Sequence, residues 1–158
     1  MAKSKPKTLL FVCTGNTCRS PMAERLMAHL CRGLEGWSFG SVGVFAAEGA
    51  PAAANAVAAL HEKGVDLSGH RARQLTPALA ASADMLVAMT RAHIPYILEI
   101  APEAASKCRT LHSFGTDNPQ GDVMDPMGSG IDTYRITRDE ISSALTDLIL
   151  ALYGPKTT

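Results

Sequence analysis

Continuous apolar runs separated by segments of helical periodicity organise this chain. Leu9 to Val12 and Met85 to Met89 are apolar without alternation, as strands covered on both faces of a parallel sheet would be. Trp37 to Phe45 alternates in part and contains Gly40 and Gly43, while Arg109 to Phe114 mixes polar and apolar positions. The pattern predicts a strand at each, the latter at a sheet edge. Between the strands the spacing turns helical. Met22, Leu26 and Leu30 share a face after the first strand, and Val57 with Leu60 sit on an alanine-rich segment that Gly64 can end. Thr76-Pro77 reads as an N-cap followed by proline at the first helical position. Ile141, Leu145, Leu148, Ile149 and Leu152 mark the last helix, stopped by Gly154-Pro155. Strands alternating with helices predict an α/β, doubly wound fold that binds ligands at the carboxyl ends of its strands.

Length and composition narrow the class. A chain of 158 residues, 46% hydrophobic and 19% charged, suits one soluble domain that buries roughly 70% of its unfolded surface. A formal net charge of zero supplies no overall basic field for nucleic acid, so any anion preference is local. Residues 1–7 read as a flexible, lysine-rich tail. The apolar run from Leu9 ends at Thr14-Gly15-Asn16, too short for a signal-peptide core, and no later run spans a bilayer. Residues 155–158 form a short C-terminal tail. The four cysteines, Cys13, Cys18, Cys31 and Cys108, follow neither disulfide-scaffold nor zinc-site spacing and suit reduced thiols in a cytosol. The expectation is a cytoplasmic monomer without metal or cofactor, and without nucleic-acid or membrane partners. His112 to Ile131 is rich in Gly, Asp, Pro, Ser and Asn, and a loop of that length in a small domain is usually functional.

The densest chemistry lies where the first strand ends. In Cys13-Thr14-Gly15-Asn16-Thr17-Cys18-Arg19-Ser20-Pro21 a cysteine and an arginine flank a tight loop that leads into a helix, with Ser20 expected as N-cap and Pro21 at its first position. Unpaired backbone N–H groups and the helix dipole favour an anion there, and Gly15 is expected to let the backbone turn inward. The same field favours the thiolate of Cys13, and Arg19 offers a planar fork to two phosphoryl oxygens. Ser20 can donate to the thiolate as it leaves. Attack of sulfur on phosphorus also needs a proton donor for the leaving atom and a base for the water that resolves a phosphocysteine. Asp125, held extended by Pro126, suits both duties, with Asp117 and Asp122 as rival carboxylates. No Walker lysine or Rossmann glycine triplet is present.

With these motifs the chain resembles the low-molecular-weight protein tyrosine phosphatase family from Thr8 to about Tyr153. The resemblance implies a three-layer, four-stranded parallel sheet and a single phosphatase domain over residues 8–154. It implies Cys13 as nucleophile, Arg19 as phosphoryl clamp, Ser20 as thiolate stabiliser and Asp125 as acid then base. Thr14, Gly15, Asn16, Thr17 and Cys18 complete the phosphate-binding loop, which Asn16 shapes and His70 braces from behind. Substrates would be phosphorylated proteins and the product inorganic phosphate.

A narrower resemblance is to the bacterial branch of protein arginine phosphatases. It runs through the loop to Glu24, through Gly43-Val44-Phe45-Ala46, Ala88-Met89-Thr90 and Gly121-Asp122-Val123, and through Tyr134 and Thr137-Arg138-Asp139-Glu140. Threonine at position 17 goes with phosphoarginine in that branch, and bulkier aliphatic residues with phosphotyrosine. A small polar side chain leaves room for a branched guanidinium and can hydrogen-bond near the P–N bond, although threonine is also a common turn residue. Phe45 is expected to form one wall of the cleft. Met127 stands where the family usually carries an aromatic, which weakens the tyrosine-phosphatase alternative, and Val42 replaces a more usual alanine. Cys18 can form a reversible disulfide with Cys13 that guards the nucleophile, or be a packed bystander. Cys31 and Cys108 read as structural, and lone Cys108 does not supply the redox pair of the arsenate reductases that share this fold. A redox or phosphoprotein-binding module without catalysis is the alternative from another class.

Overall fold

The computed structural model describes residues 4–155. Four parallel strands, β1 (Lys7–Cys13), β2 (Trp37–Gly43), β3 (Met85–Ala88) and β4 (Cys108–Thr110), form one sheet in the order β2-β1-β3-β4. Because β1 pairs with β2 on one side and β3 on the other, the strand order reverses at β1. That reversal opens a crevice beyond its carboxyl end, the usual ligand position in open α/β sheets.

The apolar run of β1 explains the layers. Leu9, Phe11 and Cys13 face α1 (Arg19–Leu30), α2 (Ala54–His61) and α5 (Ile131–Tyr153), where Met22, Leu60, Ile141, Leu145 and Leu148 close the larger core. Leu10 and Val12 point the other way, onto α3 (Pro77–Ser82) and α4 (His93–Ile100), with Ala80 and Ile97 buried against them. A strand with both faces covered must be apolar at every position, and full burial of each such side chain contributes about 1.5–3 kcal/mol. The doubly wound α/β fold is as the residue pattern predicts, and the three-layer, four-stranded parallel sheet is as the family resemblance implies. None of the helices of the described residues is long and apolar enough to cross a membrane.

Several local expectations change. Helix α1 begins at Arg19, with Cys18 and not Ser20 in the N-cap position and no side-chain cap. Ser20 lies inside the first turn because its hydroxyl is engaged by the preceding loop, and Pro21 is tolerated because first-turn N–H groups lack helical partners anyway. Leu30 is exposed, beyond the reach of the face that buries Met22 and Leu26. The edge strand is only Cys108–Thr110, and Leu111–Phe114 forms a 3₁₀ turn. Strand β2 stops at Gly43, yet Val44 and Phe45 still donate backbone N–H groups to the carbonyls of Cys13 and Thr14, which pins the segment along the loop that follows β1. Thr76 caps α3 as expected, accepting the Leu79 N–H at 3.1 Å. Lys7, placed in the N-terminal tail by sequence, starts β1 and holds its ammonium 5.6 Å from the Trp37 ring. Residues 1–3 and 156–158 of the two tails lie outside the described residues.

Candidate active site

Cys13 ends the central strand and is 3% exposed. Its Sγ lies 2.8 Å from Ser20 Oγ and accepts the Asn16 backbone N–H at 3.3 Å. Asn16 Nδ2 donates to the same Ser20 oxygen at 2.9 Å, so the serine proton has two acceptors, sulfur at 2.8 Å and the Val42 carbonyl at 3.5 Å, of which sulfur is the nearer. The thiol therefore sits among donors, at the positive end of a twelve-residue helix.

The turn of the loop is made by Asn16, not Gly15. Asn16 has φ +58°, whereas Gly15 stays outside the left-handed region. Asparagine visits that region more readily than most residues, and here its side chain supplies compensation. Its Oδ1 accepts the Arg73 N–H at 3.0 Å, and its carbonyl accepts Nε2–H of buried His70 at 2.7 Å. A carbonyl can only accept, so the His70 proton is on Nε2. Burial, partly opposed by this bond, lowers the pKa of His70 and favours the neutral ring. Gly43 meets the loop from the other side. A Cβ there would stand 2.5 Å from the Thr14 carbonyl oxygen and 3.0 Å from the Asn16 nitrogen, so only glycine allows β2 this close.

Arg19 is buried at the floor, donating from Nη1 to the Val123 carbonyl at 3.1 Å, with Nη2 3.6 Å from Asp125 Oδ2. Val123 in turn donates its N–H to Met89, at the end of β3. This pairing carries the long loop across to the cysteine. Asp125 is half-exposed, and its Oδ1 accepts the Met127 N–H at 3.0 Å, an Asx-type turn that aims the carboxyl group. The rival Asp122 is occupied elsewhere, paired with Arg91 through both its backbone N–H and its guanidinium. Exposed Asp117 does not line the cleft.

The cleft above the loop, about 260 Å³, is lined by Cys13, Thr14, Gly15, Thr17, Cys18, Arg19, Phe45, Asp125 and Met127. Asn16, Ser20 and His70 stand behind it. Larger cavities of about 440 Å³ beside α1 and α5, and about 980 Å³ beside Trp37 and Tyr153, hold none of these groups. Phe45 and Met127 are both exposed rim residues, and Phe45 packs edge-on against Tyr96 of α4 with ring centroids 5.0 Å apart. Cys18 is buried, its Sγ 3.3 Å from the hydroxyl of Tyr134. Burial raises its thiol pKa, with hydrogen bonds to Tyr134 and Thr17 opposing. Burial also raises Cys31, and pushes Cys108 up to about 11; both pack within the core clusters.

Tyr96, Tyr134, His93 and the Val123 carbonyl complete the surroundings, and sequence reasoning assigned none of them a role. The signal available for His93 and Tyr96 was position alone, since both follow the carboxyl end of β3, where this class of sheet binds ligands.

A thiol cradled by backbone and hydroxyl donors, an arginine beneath and a carboxyl group across the cleft define the class of cysteine-dependent protein phosphatases. Residues 8–156 match the family described as low molecular weight phosphotyrosine protein phosphatase, and the chain belongs to that family. It is 45% identical to a protein-arginine-phosphatase of Geobacillus stearothermophilus, over 90% of this chain and 94% of the relative. It is 37% identical to the low molecular weight protein-tyrosine-phosphatase Etp of Escherichia coli K12, over 85% and 86%. Among solved structures it superimposes on the YwlE arginine phosphatase from G. stearothermophilus with TM-score 0.86 and 43% identity, covering 93% of each chain. A YwlE cysteine-to-serine mutant with a phosphorylated active-site serine gives TM-score 0.87 at 40% identity, covering 92% of this chain and 95% of that one.

Proposed function

We propose that this protein hydrolyses phosphoarginine in protein substrates through a phosphocysteine. Cys13 attacks phosphorus, the P–N bond breaks, and Asp125 delivers its proton to the departing guanidine nitrogen. The carboxylate then takes a proton from water as that water attacks phosphorus. The P–S bond breaks, inorganic phosphate leaves, and the Ser20 hydroxyl receives the returning thiolate. Arg19 and the loop N–H groups hold the phosphoryl oxygens throughout. Asn16 and His70 keep the loop in shape.

One observation carries the choice of substrate: Thr17, half-buried, lines the cleft beside Cys13 and Asp125. A hydroxyl there can bond a branched, donor-rich guanidinium and leaves space that an aliphatic side chain would fill. The similarity to protein-arginine-phosphatases of G. stearothermophilus and Bacillus subtilis, the latter 43% identical over 89% of this chain, supports it. The apolar rim of Phe45 and Met127, with Tyr96 packed edge-on against Phe45, favours phosphotyrosine as the second reading, since a phenol ring packs well against such walls. Comparison of kcat/KM on phosphoarginine and phosphotyrosine peptides separates the two. Thr17→Ile is expected to move that ratio toward phosphotyrosine by about tenfold or more. An unchanged ratio would count against Thr17 as the selector.

The setting proposed is the cytoplasm of a bacterium, supported by the free thiols among the described residues and by the bacterial relatives. Cys18, one turn of loop from Cys13, is assigned the guard against overoxidation. Its raised pKa makes it a slow nucleophile, so the disulfide is expected to follow oxidation of Cys13 to the sulfenic acid, with water as the leaving product. After peroxide, activity that returns with dithiol reductant in the parent protein is expected to be lost for good in Cys18→Ala; equal recovery would refute the guard.

A further inference from the structure

We infer that His93 and Thr14 act as a unit. In this unit His93 is a positioning residue that orients the Thr14 hydroxyl in the cleft, and Thr14 is a second selector for a hydrogen-bonding guanidinium over a phenol. The inference rests on the proposed arginine-phosphatase reading and extends it to two residues that reading does not use.

His93, the first residue of α4, is 5% exposed, and both ring nitrogens are engaged. Nδ1 lies 3.2 Å from the Thr90 backbone nitrogen and 3.0 Å from Thr90 Oγ1. A backbone N–H can only donate, so Nδ1 holds a lone pair and the proton of the neutral ring is on Nε2. Nε2 lies 3.0 Å from Thr14 Oγ1 and therefore donates to it. Thr90 thus fixes the tautomer, and the tautomer fixes the threonine. Burial first, and then the nearby Arg19 charge, holds the pKa of His93 at about 4, against the opposing pull of Asp122 and Asp125. The neutral, donating form persists at every pH where the protein is expected to work.

The consequence falls on the cleft. Thr14 directly follows the nucleophile, is exposed and lines the cleft. Once its oxygen has accepted from His93, the rotor retains one lone pair and one proton, both directed away from the imidazole. A guanidinium offers several N–H donors to that lone pair, whereas a phenyl ring offers none. A free hydroxyl would have to be ordered on binding; here the ordering precedes the substrate. The polar side chain also occupies a place that an aliphatic residue would make favourable to a flat ring.

The test is a double-substitution cycle read as the ratio of kcat/KM on phosphoarginine and phosphotyrosine peptides. Thr14→Val and His93→Leu are each expected to lower the ratio about tenfold, the scale of one lost hydrogen bond. The double variant is expected to fall no further than either single one, because the imidazole acts only through the hydroxyl. Thr14→Ser and His93→Gln, which keep a hydroxyl and a donor, are expected to recover most of the ratio and to cover the case in which His93→Leu folds poorly. Equal losses on both substrates, or losses that multiply in the double variant, would overturn the unit and leave His93 a packing residue. A parent protein that prefers phosphotyrosine would instead overturn the underlying reading, and with it the substrate assigned to Thr14.

Discussion

Cys13→Ser is expected to abolish turnover of phosphopeptides, with a loss of roughly 10⁴-fold or more in kcat, the scale seen when a covalent catalyst loses its nucleophile. The substitution changes little else. Serine keeps a small buried side chain at the end of β1 among the same donors, Ser20 Oγ and the Asn16 N–H, so the fold and the loop are expected to persist. A serine hydroxyl stays protonated under donors that favour a thiolate and is then a far weaker nucleophile, and a phosphoserine ester resists the water that resolves a P–S bond. Cys13→Ser is therefore expected to accumulate a slow phosphoseryl adduct, read as one phosphoryl mass on the intact protein. The phosphorylated serine in the YwlE mutant shows that a related loop can hold such a species. Turnover that survives Cys13→Ser would exclude the phosphocysteine pathway.

The second large effect is assigned to Asp125. Asp125→Asn keeps the turn that accepts the Met127 N–H and removes the only carboxyl group lining the cleft among the described residues. The expected loss in kcat is about 10²–10⁴-fold on phosphopeptides, whose departing atoms need a proton. On an aryl phosphate with an acidic phenol, such as p-nitrophenyl phosphate, the loss should be much smaller, because that leaving group departs without help. Equal losses on both kinds of substrate would reassign Asp125 to binding. The 3.6 Å contact with Arg19 makes that alternative concrete, since the same carboxylate also balances the charge of the guanidinium proposed to hold the phosphoryl group.

Much of the fold was legible because its signals are local and strong. The unbroken apolar run of β1 requires cover on both faces, Thr76-Pro77 is a cap with a mechanism, and Gly154-Pro155 ends a helix whose apolar period is unmistakable. Boundaries near the site depart from local preference for a common reason. Ser20 and Gly15 have the intrinsic preferences of a cap and a turn residue, but the tertiary environment gave those duties to others. Ser20 is engaged by Cys13, and Asn16 holds the left-handed conformation because His70 and Arg73, far along the chain, bond its backbone and side chain.

By itself the sequence determined the fold class, the thiol–arginine loop and the family, because these depend on apolar period and on residue types at short, fixed spacing. The sequence singled out Asp125 through Pro126 and the family resemblance, and only the tertiary structure shows what sets its rivals apart: Asp122 is held by Arg91, Asp117 does not line the cleft, and Asp125 stands beside Arg19. The tertiary structure also brought His93 onto Thr14, Tyr134 onto Cys18 and Tyr96 onto Phe45, pairs separated along the chain and joined where the strands end. Such contacts depend on orientation and desolvation in three dimensions, and no local pattern encodes either.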